Sequence, residues 1–153
     1  MIVKEPAEKH LPCYDVTRAI IGGFYDVYNQ LGRGFLESVY ERSLVIALVE
    51  AGLRVHQQFP VIVSFRGHPV GHFRADMLVE DSVIVELKVA RRLHTRHSAQ
   101  LINVLKATSL EVGLLLNFGR NATFKRVVYT REKSCWGHGI NPRQSARISD
   151  DPR

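Results

Sequence analysis

The chain of 153 residues has 45% hydrophobic and 24% charged residues, the balance of an ordinary globular protein, and its length suits one domain with a substantial core. A formal net charge of +6 and a pI near 9.6 favour a polyanionic partner such as nucleic acid over an acidic protein surface. No apolar run reaches membrane-spanning length, no secretory pattern opens the chain, and Cys13 and Cys135 lack Cys-x-x-Cys spacing, which argues against a membrane protein, a disulfide framework or a zinc ribbon and makes a cytoplasmic location the expectation.

Residues 1–13, with two prolines and scattered charges, read as a flexible N-terminal arm, residues 14–131 as the folded domain, and residues 132–153, rich in Gly, Pro, Ser and charge, as a disordered tail. A helix fits Asp15 to Leu31, with Asp15 as N-cap and Val16, Ile20, Phe24, Val27 and Leu31 at helical spacing. Gly32-Arg33-Gly34 ends it. A second helix fits Leu36 to Ala51, stopped by Gly52, with Tyr40, Leu44 and Leu48 facing the core. Tyr40 reads as core because it lies on that apolar stripe. Glu37 projects from the same side near the helix start, where its carboxylate either favours the helix N-terminus or adds an acid to an inward face.

Strands follow at Arg54–Gln57, Val61–Phe65, Phe73–Val79 and Val83–Val89, with turns at Arg66-Gly67-His68-Pro69 and Glu80-Asp81-Ser82. Side chains alternate across a strand, so Glu86 and Lys88 share one face while Val83, Val85, Leu87 and Val89 fill the other; Asp76 interrupts the preceding apolar run in the same way. Two readings of these charges stand. In one, Asp76 and Glu86 supply hard oxygen ligands to a cation such as Mg²⁺ and Lys88 orients or activates a water. In the other, the three belong to a solvated sheet face with ordinary cross-strand ion pairs.

The basic segment Arg91 to His97 opens a helix that continues to Thr108. Its stripe of Leu93, His97, Gln100, Val104 and Thr108, with Leu101 and Leu105 beside it, turns Gln100 toward the sheet or its edge. Arg91, Arg92 and Arg96 lie near the end of the strand bearing Lys88, as contacts for nucleic-acid backbone or as a solvated helix start. His94 and His97 suit structural or phosphate-contacting roles ahead of metal binding, since no acid or Cys joins them at ligand spacing. Val112–Phe118 is a continuous apolar run, as in a central strand covered on both faces, and strand, helix, strand from Val83 to Phe118 is long enough for a parallel crossover. A last strand fits Thr123–Thr130.

In chain order, Glu37, Asp76, Glu86, Lys88 and Gln100 follow a pattern that resembles the PD-(D/E)XK nuclease superfamily. Gly34-Phe35-Leu36-Glu37-Ser38-Val39-Tyr40 resembles the G-x-x-E-x-x-Y signature of one bacterial family within it. The resemblance extends from Val16 to Thr130 and takes in Arg74-Ala75-Asp76-Met77-Leu78-Val79 and Gly113-Leu114-Leu115-Leu116-Asn117-Phe118. It departs at Ala75, where the superfamily's name has Pro, and at Val104, where relatives often have Tyr. It implies an α/β, restriction-endonuclease-like core, a mixed central sheet flanked by helices. It also implies Asp76, Glu86 and the Leu87 main-chain carbonyl as ligands of Mg²⁺ or Mn²⁺, Lys88 as catalytic lysine, Glu37 as auxiliary acid and Gln100 as a supporting residue. The implied activity is metal-dependent hydrolysis of phosphodiester bonds in nucleic acid, DNA ahead of RNA, by a monomer or a homodimer. The rival is a nucleic-acid-binding or protein-interaction module that keeps the fold without useful turnover.

Overall fold

The computed structural model describes residues 12–131, and the expected arm and tail lie outside them except for Pro12 and Cys13. The elements are α1 (Tyr14–Leu31), α2 (Glu37–Glu50), β1 (Val55–Phe65), β2 (His68–Val79), β3 (Val83–Lys88), α3 (Thr95–Ala107), β4 (Val112–Asn117) and β5 (Thr123–Val128). The strands form one sheet in the order β1-β2-β3-β4-β5, antiparallel throughout except for the parallel pair β3/β4. This is the expected mixed sheet flanked by helices. None of the described helices is long and apolar enough to cross a membrane.

Period-two alternation divides the core into two layers. Val83, Val85 and Leu87 of β3 join Ile20, Phe24 and Val27 of α1 and Tyr40, Leu44 and Leu48 of α2 on one face. Ile84 joins Leu101, Val104 and Leu105 of α3 on the other. Helices on both sides leave β3 and β4 with no exposed position, which explains their unbroken apolar sequences.

The structure corrects several sequence boundaries. Cys13, not Asp15, is the N-cap of α1, and Asp15 falls in the first turn, where its charge still suits the helix dipole. The buried stripe of α1 takes Thr17 in preference to Val16 and ends at Val27, leaving Leu31 exposed. The two strands expected before Arg66 are one, Val55–Phe65. Pro60 does not break it, because β1 is an edge strand and a missing N–H can face outward there. The turn between β1 and β2 is Arg66-Gly67 alone, both at positive φ, so β2 starts at His68. Arg91 to His94 precede α3 and do not belong to it, and β3, β4 and β5 each end short of the expected residue.

Pro12 and Cys13, placed in the arm by composition, are tied to the domain: Cys13 packs against the α1/α2 core, and the Pro12 carbonyl accepts a hydrogen bond from the Arg126 guanidinium. The same guanidinium donates to Thr17 Oγ1 at 2.6 Å, joining β5 to the start of α1.

Gly113 sets the spacing of α3 from the sheet, since a Cβ there would lie 2.8 Å from Leu101 Cδ1 and 2.9 Å from Leu101 Cγ. Gly113→Ala should therefore cost about 1–3 kcal/mol through overpacking. Leu101→Ala alone should cost about 2–5 kcal/mol, but the double variant should lose at least about 1 kcal/mol less than the sum, because the second change removes the atoms that the first collides with. Denaturant unfolding of the four proteins checks this, and simple additivity would refute the close approach.

Candidate active site

The pairing of β2 with β3 runs only from Val79–Val83 to Met77–Val85. Beyond it the Asp76 side chain replaces the strand: the Leu87 N–H donates to Asp76 Oδ2 at 2.7 Å. A residue's N–H and C=O point to the same side of a strand, so the Leu87 carbonyl also faces the side from which β2 has withdrawn. The Lys88 carbonyl faces β4, where it accepts the Phe118 N–H at 2.8 Å. On the other edge of β2, the pairs Gln57–Met77 and Phe59–Ala75 flank Asp76, and the intervening Gln58 has φ 52. Asp76 thus sits at a distortion of both ladders that meet at β2.

Glu86 is buried, with 8% of its surface exposed, and its carboxyl lies beside that of Asp76. Burial, then the neighbouring Asp76 charge and a hydrogen bond between the two side chains, push the Glu86 pKa up to about 8. Burial also raises Asp76, against the opposing hydrogen bond from Leu87. Among the described residues the ion pairs within 4 Å join Arg54 to Glu80 and Asp81 and His56 to Asp81, so neither Asp76 nor Glu86 has a cation in contact. A solvated face of cross-strand ion pairs does not describe this arrangement.

Lys88, half-buried, is the electrostatic centre of the group: its charge acts on Glu37, Asp76, Glu86 and His97. Glu37 is exposed as a residue, yet its carboxyl end is partly desolvated, and that loss of water is the main reason its pKa rises; Lys88 opposes the rise, while Asp76 and Glu41 add to it. Glu37 is positioned by Tyr40, whose ring stacks on Phe118 at 4.5 Å, while its hydroxyl donates to the Gly32 carbonyl at 2.6 Å and accepts from the Phe35 N–H at 3.3 Å. Tyr40 is fully buried core, as expected, but its polar end also pins the loop from which α2 starts.

Not every expected residue joins the group. Gln100 is exposed and makes no side-chain hydrogen bond among the described residues, because the buried face of α3 runs through Ser98, Leu101, Val104 and Leu105 and shares only Val104 with the expected stripe. Val104 fills the core under the sheet. Arg91 and Arg92 line a cavity with His94 and Arg120, whereas Arg96 lies in the first turn of α3, outside that lining. His97 has a structural role: Nδ1 accepts the His94 N–H at 3.2 Å, and its pKa is lowered by burial and by the nearby charge of Lys88.

Sequence reasoning missed three groups. Glu41 accepts hydrogen bonds from Gln57 and Gln58 at 3.1 and 2.9 Å, linking α2 to the distorted part of β1; its signal was its position one turn after Glu37. Asn117, fully buried, binds Ala90 through both its N–H and its C=O, a role with no periodic signature. Arg120 follows an apolar strand as an isolated charge. Among the described residues no three His, Cys, Asp or Glu side chains converge as a ready metal cage.

The family model described as the PD-(D/E)XK nuclease superfamily matches residues 14–127. Among solved structures, SSO0001 is 16% identical with a TM-score of 0.51, the match covering 78% of this chain and 61% of that one. An alkaline exonuclease (LHK-Exo) from Laribacter hongkongensis is 12% identical with a TM-score of 0.43, the match covering 56% of this chain and 52% of that one. The chain therefore spans less than two thirds of either protein. The likeness to SSO0001 is one of fold. No curated protein matches the chain.

The Glu86 shift has a measurable sign. Its ordinary value is 4.5 and the folded value is about 8, so between these limits the folded state holds a proton that the unfolded state has lost, and stability must fall as pH rises through the window. With chelator present, wild type should lose on the order of 5 °C in Tm between the two limits relative to Glu86→Gln, and the variant should be the more stable protein at the upper limit. Parallel pH profiles of the two proteins would contradict the buried acid pair.

Proposed function

Because the chain belongs to the PD-(D/E)XK nuclease superfamily, we propose that Asp76, Glu86 and Lys88 form the active centre of a divalent-metal-dependent nuclease that hydrolyses phosphodiester bonds, DNA ahead of RNA. The observation that carries this reading is the pair of adjoining carboxyls, Asp76 and buried Glu86, with no cation in contact among the described residues. Within the superfamily, Gly34 to Tyr40 favours the GxxExxY family.

The donor set suits a small hard cation. Asp76 keeps oxygen lone pairs beyond the one used by Leu87, Glu86 adds a second carboxylate, and the Leu87 carbonyl faces the side left by β2. Few protein oxygens, with water completing the shell, is the preference of Mg²⁺, and Mn²⁺ accepts similar ligands. Such an ion, when bound, neutralises phosphate charge and acidifies a water. The chain's own residues do the rest in this reading. Lys88 positions the attacking water or takes its proton, and Glu37 stands as an auxiliary acid at the rim. Arg91 and Arg92 hold the backbone of the strand. Arg96, in the first turn of α3, adds a further contact to the backbone outside the cavity lined by Arg91 and Arg92, and Gln100 is a supporting residue on the exposed side of that helix.

A second reading, binding without useful turnover, is favoured by one observation: Gln100 faces solvent and Val104 is core, so α3 brings neither an amide nor an aromatic hydroxyl to the site. Incubating the full chain with single- and double-stranded DNA and RNA, in Mg²⁺, Mn²⁺ or chelator, separates the two. Turnover in metal and none in chelator supports the nuclease; none in any condition supports the binding module.

The variants should divide by role. Asp76→Asn keeps an oxygen for the Leu87 N–H, so it should fold, yet with Glu86→Gln it should lose cleavage by at least about a hundredfold. Both should also lose metal-induced stabilisation, about 2.7 kcal/mol at metal a hundredfold above Kd. Lys88→Met should keep that stabilisation and lose hydrolysis. Metal titration calorimetry and melts check this, and unimpaired Mg²⁺ or Mn²⁺ binding by the Asp76 and Glu86 variants would refute the assignment.

A further inference from the structure

Building on the nuclease reading, we propose that Arg120 joins Arg91, Arg92 and His94 in a pocket that binds a phosphate group of the nucleic-acid strand beside the reacting one. These four residues line a cavity of about 510 Å³. Arg91 stands three residues beyond Lys88 and Arg120 three residues beyond Asn117, and Lys88 and Asn117 are register partners on the parallel pair β3/β4. Both arginines therefore leave the same end of the sheet, the end that carries Lys88.

The backbone on each side of the pocket is built, not loose. Asn117 Oδ1 accepts the N–H of Ala90 at 3.0 Å and of Gly119 at 3.1 Å, and Nδ2 donates to the Ala90 carbonyl at 2.9 Å. Tyr28 of α1 donates its hydroxyl to the Arg120 carbonyl at 2.8 Å, with the Gly119 carbonyl at 3.2 Å. A Cβ on Gly119 would come within 1.8 Å of the Ala90 carbonyl oxygen, so a glycine is required for the segments carrying Arg91 and Arg120 to approach this closely.

Among the described residues these charges have no counterpart: no acid of that set lines the cavity, and none has a carboxylate within 4 Å of Arg91, Arg92 or Arg120. Cations gathered without a counter-ion repel one another, and an anion relieves that repulsion. Guanidinium groups match phosphate because their planar forks donate two parallel hydrogen bonds. The pocket is tied to the start of α3, where the His94 N–H donates to His97 Nδ1 at 3.2 Å, and the charge of Lys88 acts on that His97 ring.

The test is fluorescence anisotropy with the full chain in chelator, using one single-stranded oligonucleotide sequence in three forms: 5′-phosphorylated, 3′-phosphorylated and without terminal phosphate. Arg120→Ala should weaken binding at least about fivefold and reduce the slope of log affinity against log salt by about 0.7. Arg120→Lys should restore the slope but only part of the affinity, because it returns the charge without the fork. Arg120 is exposed, so these variants should melt with wild type. An equal loss on all three forms places an internal phosphodiester in the pocket, and a loss confined to one form places a terminal phosphate there. Unchanged affinity and slope on every form, for Arg120→Ala and for the charge reversal Arg120→Glu, overturns the pocket. Binding is read without metal, so its outcome is independent of cleavage: an Arg120 effect in a protein that never cuts refutes the nuclease and keeps the pocket, and cleavage with unaltered binding does the reverse.

Discussion

The hydrogen bond from the Leu87 N–H to Asp76 Oδ2 stands where β2 would otherwise have continued its ladder along β3. A buried N–H must be paired, and here a carboxylate pairs it. Several features depend on this substitution. β2 can leave the sheet without orphaning the donor, which turns the Leu87 carbonyl toward an uncovered side. It holds the Asp76 carboxyl beside that of Glu86 on the neighbouring strand. Two acids in contact, one of them buried, raise the cost of ionising both, so the folded chain stores electrostatic strain that a proton or a cation releases.

The strain is tolerable because the rest of the sheet is overdetermined. β3 and β4 are covered on both faces by three helices, and their parallel register continues unbroken to Lys88–Asn117, past the point where β2 departs. At that end Asn117, Phe118 and Gly119 act in sequence. Asn117 holds the turn after β3, Phe118 stacks on Tyr40 and so places the start of α2, and Gly119 leaves room for the Ala90 carbonyl. The three residues connect the strand bearing Lys88, the helix bearing Glu37 and the segment bearing Arg120.

What could be read from the sequence was whatever repeats. The alternation of Val83 to Lys88 assigned each side chain to its face, and Tyr40, Leu44 and Leu48 marked the inner side of α2, because burial on a strand or helix leaves a period. Motif spacing brought out Asp76, Glu86 and Lys88 for the same reason: charges that interrupt an apolar run are visible against it. Where the period was weak the reading slipped. On α3, polar Ser98 is buried and Gln100 exposed, so a stripe drawn one residue out of phase aimed Gln100 at the sheet. Asn117 and Arg120 act through contacts between segments far apart in the chain, which no local pattern encodes, and the place of Glu41 one turn after Glu37 marks its face but not its contact with β1.

Formal charge of +6 conceals an uneven distribution. Glu37, Glu41, Asp76 and Glu86 gather where β2 leaves β3, while Arg91, Arg92 and Arg120 gather just beyond the ends of β3 and β4, with Lys88 between the two groups in sequence and in field. A polyanion brought to the acids alone would be repelled, and one brought to the arginines alone would meet no reactive group. In the proposed reading, placing both at one end of a parallel strand pair would let the basic side hold a nucleic-acid strand against the repulsion of the acidic side. The acids in turn are left with a deficit of positive charge that Lys88 only partly offsets. That division of labour follows from topology: only a parallel pair delivers the ends of two adjacent strands, and the loops that follow them, to the same edge of the sheet.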